Sequence, residues 1–226
     1  MSRIDPNHPH GDIEAHRKYL ARVPRDEVQR RLEVFHLKEE VMEQLPIVCQ
    51  SFEVRPDDEV YQPWLHPLDP ISLDDVKNWY GVPNETARFQ ANAVRERTGG
   101  DRHWGRMKPV DHVHLPATRR FDFGSLEPVQ QAAVRQMATN LLYGYVDPDE
   151  ARRLPYAAVI EYMIDRARGL TAFVCPDLVV CPDDVVVLKS IPVAIFNNIL
   201  IYDTGEIVTK HHTAIHAFQL QHVDTP

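Results

Sequence analysis

The chain is short of what most recognisable activities need. It has three cysteines, Cys49, Cys175 and Cys181, an odd and sparse set with no disulfide framework, as expected of a reducing compartment. Glycine is scarce, with nine residues, and no Walker loop, dinucleotide-binding Gly-rich turn or nucleophile elbow occurs. No apolar run approaches the 18 or so uncharged residues a membrane helix requires. The opening MSRIDPNHPHGD is polar and lacks the apolar core of a signal peptide. A cytoplasmic protein that neither spans nor coats a membrane is expected.

Proline is abundant instead. There are 18 among 226 residues, about 8% where about 5% is usual. Proline breaks helices and stiffens connections, so short helices joined by extended loops are expected. The net charge of −8 opposes a surface that binds nucleic acid all over. Charge is uneven, however: residues 86–120 hold eight Lys/Arg against three Asp/Glu, and residues 171–226 hold two against six.

Residues 1–11 read as a flexible arm. Residues 12–44 keep an apolar helical spacing through Val28, Leu32 and Phe35, interrupted near Pro24. Pro56, Pro63, Pro67 and Pro70 make a proline-rich connection over 55–71. Ser72 begins a helix, with a hydroxyl three residues before the carboxylate of Asp75. Further helices are expected from Asn84 to Arg97, Leu126 to Tyr143, Asp147 onward, and Pro155 to Arg168, where Gly169 is a stop. From residue 171 the pattern becomes one of β-branched runs divided by Cys-Pro-Asp-Asp and Asp-Thr-Gly-Glu turns.

The C-terminal stretch resembles itself at an offset of 21. Leu178, Ile199 and Leu220 align, as do Val180 with Ile201, Val186 with Ile207, and Lys189 with Lys210. A fixed period with matched apolar positions points to stacked coils. The expected fold class is therefore α+β: a mainly helical N-terminal domain over 12–170, followed by a small C-terminal β unit over 171–226. That unit is expected to be a short parallel β-solenoid, or alternatively an antiparallel meander or sandwich. An uncapped coil leaves backbone groups without partners, so the expected function is structural: self-association into a homo-oligomer, or docking into a larger protein assembly.

Two alternatives rest on other residues. Ser72 to Arg97 resembles the helix-turn-helix of DNA-binding proteins, with Gly81-Val82-Pro83 as the turn. The resemblance implies a second helix in the major groove, with Arg88, Asn92 and Arg95 on bases or phosphates, helped by the basic 102–120 stretch. It departs from that family's form in the acidic Asp74, Asp75, Glu85 and Glu96. The other alternative is a metal-dependent enzyme. His112 and His114 lie at i and i+2, on one face of an extended segment, with Asp111 as a third ligand or their hydrogen-bond partner, so a divalent metal such as zinc would bind there. No cofactor other than such a metal is expected. His211, His212 and His216 form a second cluster, and His8 with His10 a third. A catalytic thiol is not expected, because neither Cys175 nor Cys181 has an evident His or Asn partner.

Overall fold

Valine and isoleucine dominate 171–223, and their stiff, branched side chains suit the pleated surface of a sheet. The computed structural model describes residues 13–79, 115, 120–142, 146, 148–210 and 213–224. Eight strands lie among them: β1 (Ile47–Val48), β2 (Phe52–Val54), β3 (Leu65–Pro67), β4 (Thr171–Val180), β5 (Val185–Leu188), β6 (Val193–Tyr202), β7 (Glu206–Thr209) and β8 (Ala214–Val223). The α-helices are α1 (Ile13–His16), α2 (Arg25–Glu33), α3 (Leu73–Trp79), α4 (Pro128–Leu142), α5 (Pro148–Ala151) and α6 (Tyr156–Ala167). The chain divides into two compact units, residues 1–69 with 169–226, and residues 70–168.

The first unit is built on two parallel sheets. One runs β1-β4-β6-β8 and the other β2-β5-β7. Register is constant: Leu178 pairs with Ile199 and Ile199 with Leu220, while Val186 pairs with Ile207. Each step is 21 residues, so like side chains fall directly beside one another. Phe173, Cys175, Leu178, Val180, Ala194, Phe196 and Ile199 of the first sheet meet Phe52, Val54, Val186 and Leu188 of the second in one buried core. Burying an aliphatic or aromatic side chain of this size contributes about 1.5–3 kcal/mol, so the stacked columns are the main source of this unit's stability.

The turns repeat as well. Thr204 Oγ1 donates to Asp183 Oδ1 (2.8 Å) and accepts from the Asp183 N–H (3.0 Å), an interaction 21 residues apart. Ser51 Oγ donates to Asp184 Oδ1 (2.8 Å) and accepts from the Val185 N–H (2.9 Å). In the next turn a Cβ added to Gly205 would stand 2.8 Å from the Cys181 carbonyl oxygen and 3.0 Å from those of Val180 and Tyr202. Glycine is needed there for close approach of backbone to backbone.

The fold class expected from sequence is overturned. The protein is mixed α/β with two parallel sheets, not a mainly helical N-terminal domain followed by a small C-terminal β-solenoid, and not an antiparallel meander or sandwich. The finding that decides it is the source of β1, β2 and β3. All three come from residues 47–67, and they pair with β4 and β5. Only β3 runs antiparallel. Residues 13–42, read as a helical pattern, form α1, a 3₁₀ turn at Arg17–Tyr19, α2 and a second 3₁₀ turn at Glu39–Met42. Prolines at 24, 46, 56 and 63 cut this region into pieces too short for a periodic signal.

The described part of the second unit is helical. Ser72 and Asp75 cap α3 reciprocally: the Ser72 N–H donates to Asp75 Oδ2 (2.8 Å), and the Asp75 N–H donates to Ser72 Oγ (3.2 Å). Val134, Met137 and Leu141 of α4 pack with Tyr156, Val159 and Met163 of α6. Gly169, at φ 80°, follows α6 in the left-handed conformation common after helices.

Candidate functional site

Each strand leaves half its backbone hydrogen-bonding groups facing the next, so the edges of a sheet must be paired or covered. At one end of the first unit the chain meets that demand itself. β3 pairs with residues 171–173 of β4, β1 with residues 178 and 179, and β2 with β5. Tyr61 and Trp64, from the 3₁₀ turn Glu59–Trp64, join the core at this end. The Trp64 Nε1–H donates to the Leu45 carbonyl (3.1 Å).

The other end is different. Among the described residues no strand lies beyond β8 or β7. β8 is ten residues long and contains no proline and no Asp, Glu, Lys or Arg. Its apolar side chains extend the buried columns into solvent. Phe173 and Ala194 are 0% exposed, whereas Ile215 beside them is 40% exposed. Leu178 and Ile199 are 0% and 1% exposed, whereas Leu220 is 63% exposed. Phe218 is exposed too. Among the described residues the core ends in an uncovered edge.

Two stretches of β6 and β8 are covered. On one, Phe35, just after α2, packs edge-on against His216 at 4.9 Å, and Arg31 of α2 donates to the Phe196 carbonyl (3.0 Å). Burial holds the Arg31 guanidinium below its ordinary range. On the other, a polar column interrupts the apolar strands. Asp177, Asn198 and Gln219 occupy equivalent register positions. Asn198 Nδ2 donates to Asp177 Oδ1 (2.6 Å) and to the Ala21 carbonyl (3.1 Å), while the Ala21 N–H donates to Asn198 Oδ1 (3.1 Å) and Gln219 Oε1 (2.8 Å). This clamp holds residues 13–22 against the sheet. Beside it lies an open cavity of about 800 Å³, lined in part by Arg17, Leu20, Met42, Asp177 and Asn198. Burial raises the Asp177 carboxyl above its usual range, opposed by its bonds with Asn198 and by Arg17.

The same flank holds the sulfur chemistry. Cys49 follows β1, Cys181 follows β4, and the two are joined in a disulfide, where the sequence showed no disulfide framework. His16 closes α1 with its Nε2 3.8 Å from Cys49 Sγ and its Nδ1 2.9 Å from the Tyr202 hydroxyl. One ligand atom from each of His16, Cys49 and Cys181 lies within 4.8 Å of the others. Cys175 is buried in the core and its thiol is pushed well above the ordinary cysteine range by desolvation, which leaves it inert.

In the helical unit, a cavity of about 420 Å³ is lined in part by Asp74, Lys77, Leu141, Val146 and Glu161. Lys77 is nearly buried, and desolvation holds its amine below the usual lysine range, with Asp74 acting in the opposite sense.

Of the histidine clusters singled out from sequence only His216 is among these, and the candidate DNA-binding and metal-binding residues are not. Arg88, Asn92 and Arg95 of the DNA-binding reading lie outside the described residues, as do Asp111, His112 and His114 of the metal reading. So do His8, His10, His211, His212 and the arm over 1–11. Of the helix-turn-helix segment the structure describes α3 alone, whose Val76, Lys77 and Trp79 are buried. The cluster of His16, Cys49 and Cys181 escaped the sequence reading because its members are 33 and 132 residues apart, with no metal-type spacing between them. No described helix is long and apolar enough to cross a membrane. No family model, no curated protein and no solved structure matches this chain.

Proposed function

We propose that this chain is a structural protein that self-associates, a second copy adding its β8 to β8 of the first. One observation carries the reading: a ten-residue edge strand without charge or proline, bearing exposed Ile215, Phe218 and Leu220 at the open end of a hydrophobic core. Proteins that remain monomeric blunt such edges with lysine, proline, a bulge or a short strand. β8 has none of the first two and is as long as the central strands β4 and β6.

A second copy suits the edge better than an unlike partner of strong charge. Two β8 strands brought together antiparallel about a two-fold axis near Phe218 exchange backbone hydrogen bonds without juxtaposing like charges. The added strand satisfies the outward N–H and C=O groups, and its apolar side chains cover those now exposed.

Size-exclusion chromatography with light scattering tests the reading. The wild-type chain is expected to run as a dimer at micromolar concentration. Leu220→Lys, which sets a charge on the edge, is expected to shift it to a monomer with unchanged circular dichroism. A wild-type chain that stays monomeric at that concentration refutes the proposal.

A further inference from the structure

His16, Cys49 and Cys181 come from three distant parts of the sequence and converge on one flank of the first unit. We infer that this cluster is a zinc site: with the Cys49–Cys181 bond reduced, the two thiolates and His16 Nε2 coordinate one Zn²⁺, and disulfide and zinc thiolate are alternative states of the same residues.

The geometry is close to what zinc demands. Tetrahedral zinc, with bonds of about 2.3 Å to sulfur and about 2.0–2.1 Å to nitrogen, holds sulfur and nitrogen about 3.6 Å apart and two sulfurs about 3.8 Å apart. His16 Nε2 and Cys49 Sγ are already 3.8 Å apart. Once the S–S bond opens, rotation of the two cysteine side chains supplies the remaining separation.

The partner of the other ring nitrogen is also in place. The Tyr202 hydroxyl lies 2.9 Å from His16 Nδ1. That hydroxyl can accept from Nδ1–H and turn the Nε2 lone pair toward the sulfurs, as the outer partners of metal-bound histidines do. Cys49 sits at φ 49°, a left-handed conformation uncommon for a side-chain-bearing residue, and its N–H donates to the Val179 carbonyl (2.9 Å). Val48, Val179, Leu200 and Tyr202 wall the cluster with apolar surface. All three ligands are half-buried, so the fourth position is left to water. Two thiolates neutralise the ion's charge, and soft sulfur donors favour zinc over magnesium or calcium.

The chemistry balances with an external dithiol as reductant. It gives two electrons and two protons to the Cys49–Cys181 bond, producing two thiols, and itself becomes a disulfide. Zn²⁺ then displaces the two thiol protons.

Cobalt(II) is the probe, because a cobalt–thiolate bond gives an ultraviolet charge-transfer band that histidine-only binding elsewhere in the chain does not. The phosphine-reduced protein is expected to take up one equivalent of Co²⁺ with that band and the visible spectrum of a four-coordinate ion, both bleached by Zn²⁺. The oxidised protein is expected to show neither. Cys181→Ser should lose the band. Tyr202→Phe, a positioning change, should keep the band but weaken the affinity by about 10- to 100-fold, and His16→Gln should weaken it at least as much. Reduced wild-type protein without the band overturns the proposal, and so does a full-strength band in Cys181→Ser or wild-type affinity in both His16→Gln and Tyr202→Phe. Oxidised and reduced wild type share every side chain, so that comparison decides the matter even where a variant does not fold.

Discussion

Replacing Asn198 by alanine removes the centre of the polar column and has a pH signature. Asn198 is 3% exposed and makes three of the column's bonds, one to the Asp177 carboxyl and two to the backbone of Ala21. A hydrogen bond to a charged group is worth about 1.5–3 kcal/mol and a neutral one about 1 kcal/mol. The Ala21 N–H keeps Gln219 as an acceptor, so the expected loss is about 3 kcal/mol at neutral pH. Asp177 sets the pH dependence. Its folded-state pKa already lies above the ordinary carboxylate value because of burial, and the Asn198 bond lowers it. A carboxyl raised on folding contributes stability that is present below its unfolded pKa and is lost as pH rises through the folded one. Taking Asn198 away raises that pKa further and enlarges the loss at neutral pH. The destabilisation should therefore shrink on acidification, as Asp177 takes up a proton. Urea unfolding followed by circular dichroism, at neutral pH and again near the carboxylate range, measures both. A penalty below about 1 kcal/mol, or one that is equal at the two pH values, refutes the assignment of the clamp.

Two further substitutions probe other parts of the fold. Gly205→Ala forces a Cβ against three backbone carbonyls that cannot move singly, and an overpacking cost of about 1–3 kcal/mol is expected; a thermal midpoint equal to wild type refutes the close approach. Lys77→Met removes an amine whose pKa burial depresses. A lysine depressed on folding makes the unfolded chain bind more protons, so its cost is present at neutral pH and fades as pH rises toward the ordinary lysine value. The methionine variant is expected to gain about 1 kcal/mol at neutral pH and less in alkali, as read by urea unfolding at both; a destabilised variant refutes the reading.

Residue spacing carried one part of this fold and concealed another. The interval between Leu178, Ile199 and Leu220 is the register interval of β4, β6 and β8, and it is legible because buried neighbours in adjacent strands need similar shapes. The first layer of the same sheets is not legible. β1 has two residues and β2 and β3 have three each, too few to establish any period, and β1 and β2 are set among prolines that favour a loop reading. Ser72 and Asp75 signalled α3 because a capping box is local chemistry, complete within four residues. The sulfur cluster is the opposite case, for its ligands are joined by topology alone. Ala21 is likewise silent in sequence, since its backbone, not its side chain, completes the polar column.

The clamp and the proposed zinc site are thermodynamically linked, because both depend on where residues 13–22 lie. His16 reaches Cys49 while the segment that carries it is docked, and the bonds between Ala21, Asn198 and Gln219 help to dock it, together with the His16–Tyr202 bond and the packing of Ile13, Tyr19 and Leu20. A ligand that binds only the docked form stabilises that form by RT ln(1 + [L]/Kd). Reciprocity then requires that complete undocking lower zinc affinity by the same factor by which bound zinc strengthens docking, and a partial weakening of docking lowers it by the fall in the docked fraction. Asn198 touches no sulfur and offers the metal nothing, yet it helps set the fraction of molecules in which His16 is within reach. The edge strand β8 enters this relation through Gln219 and through Val223, which packs in the apolar cluster that holds Tyr202 and Cys181. Self-association at Leu220 and metal binding at Cys181 thus touch the same strand but use different side chains, so the failure of either leaves the other standing.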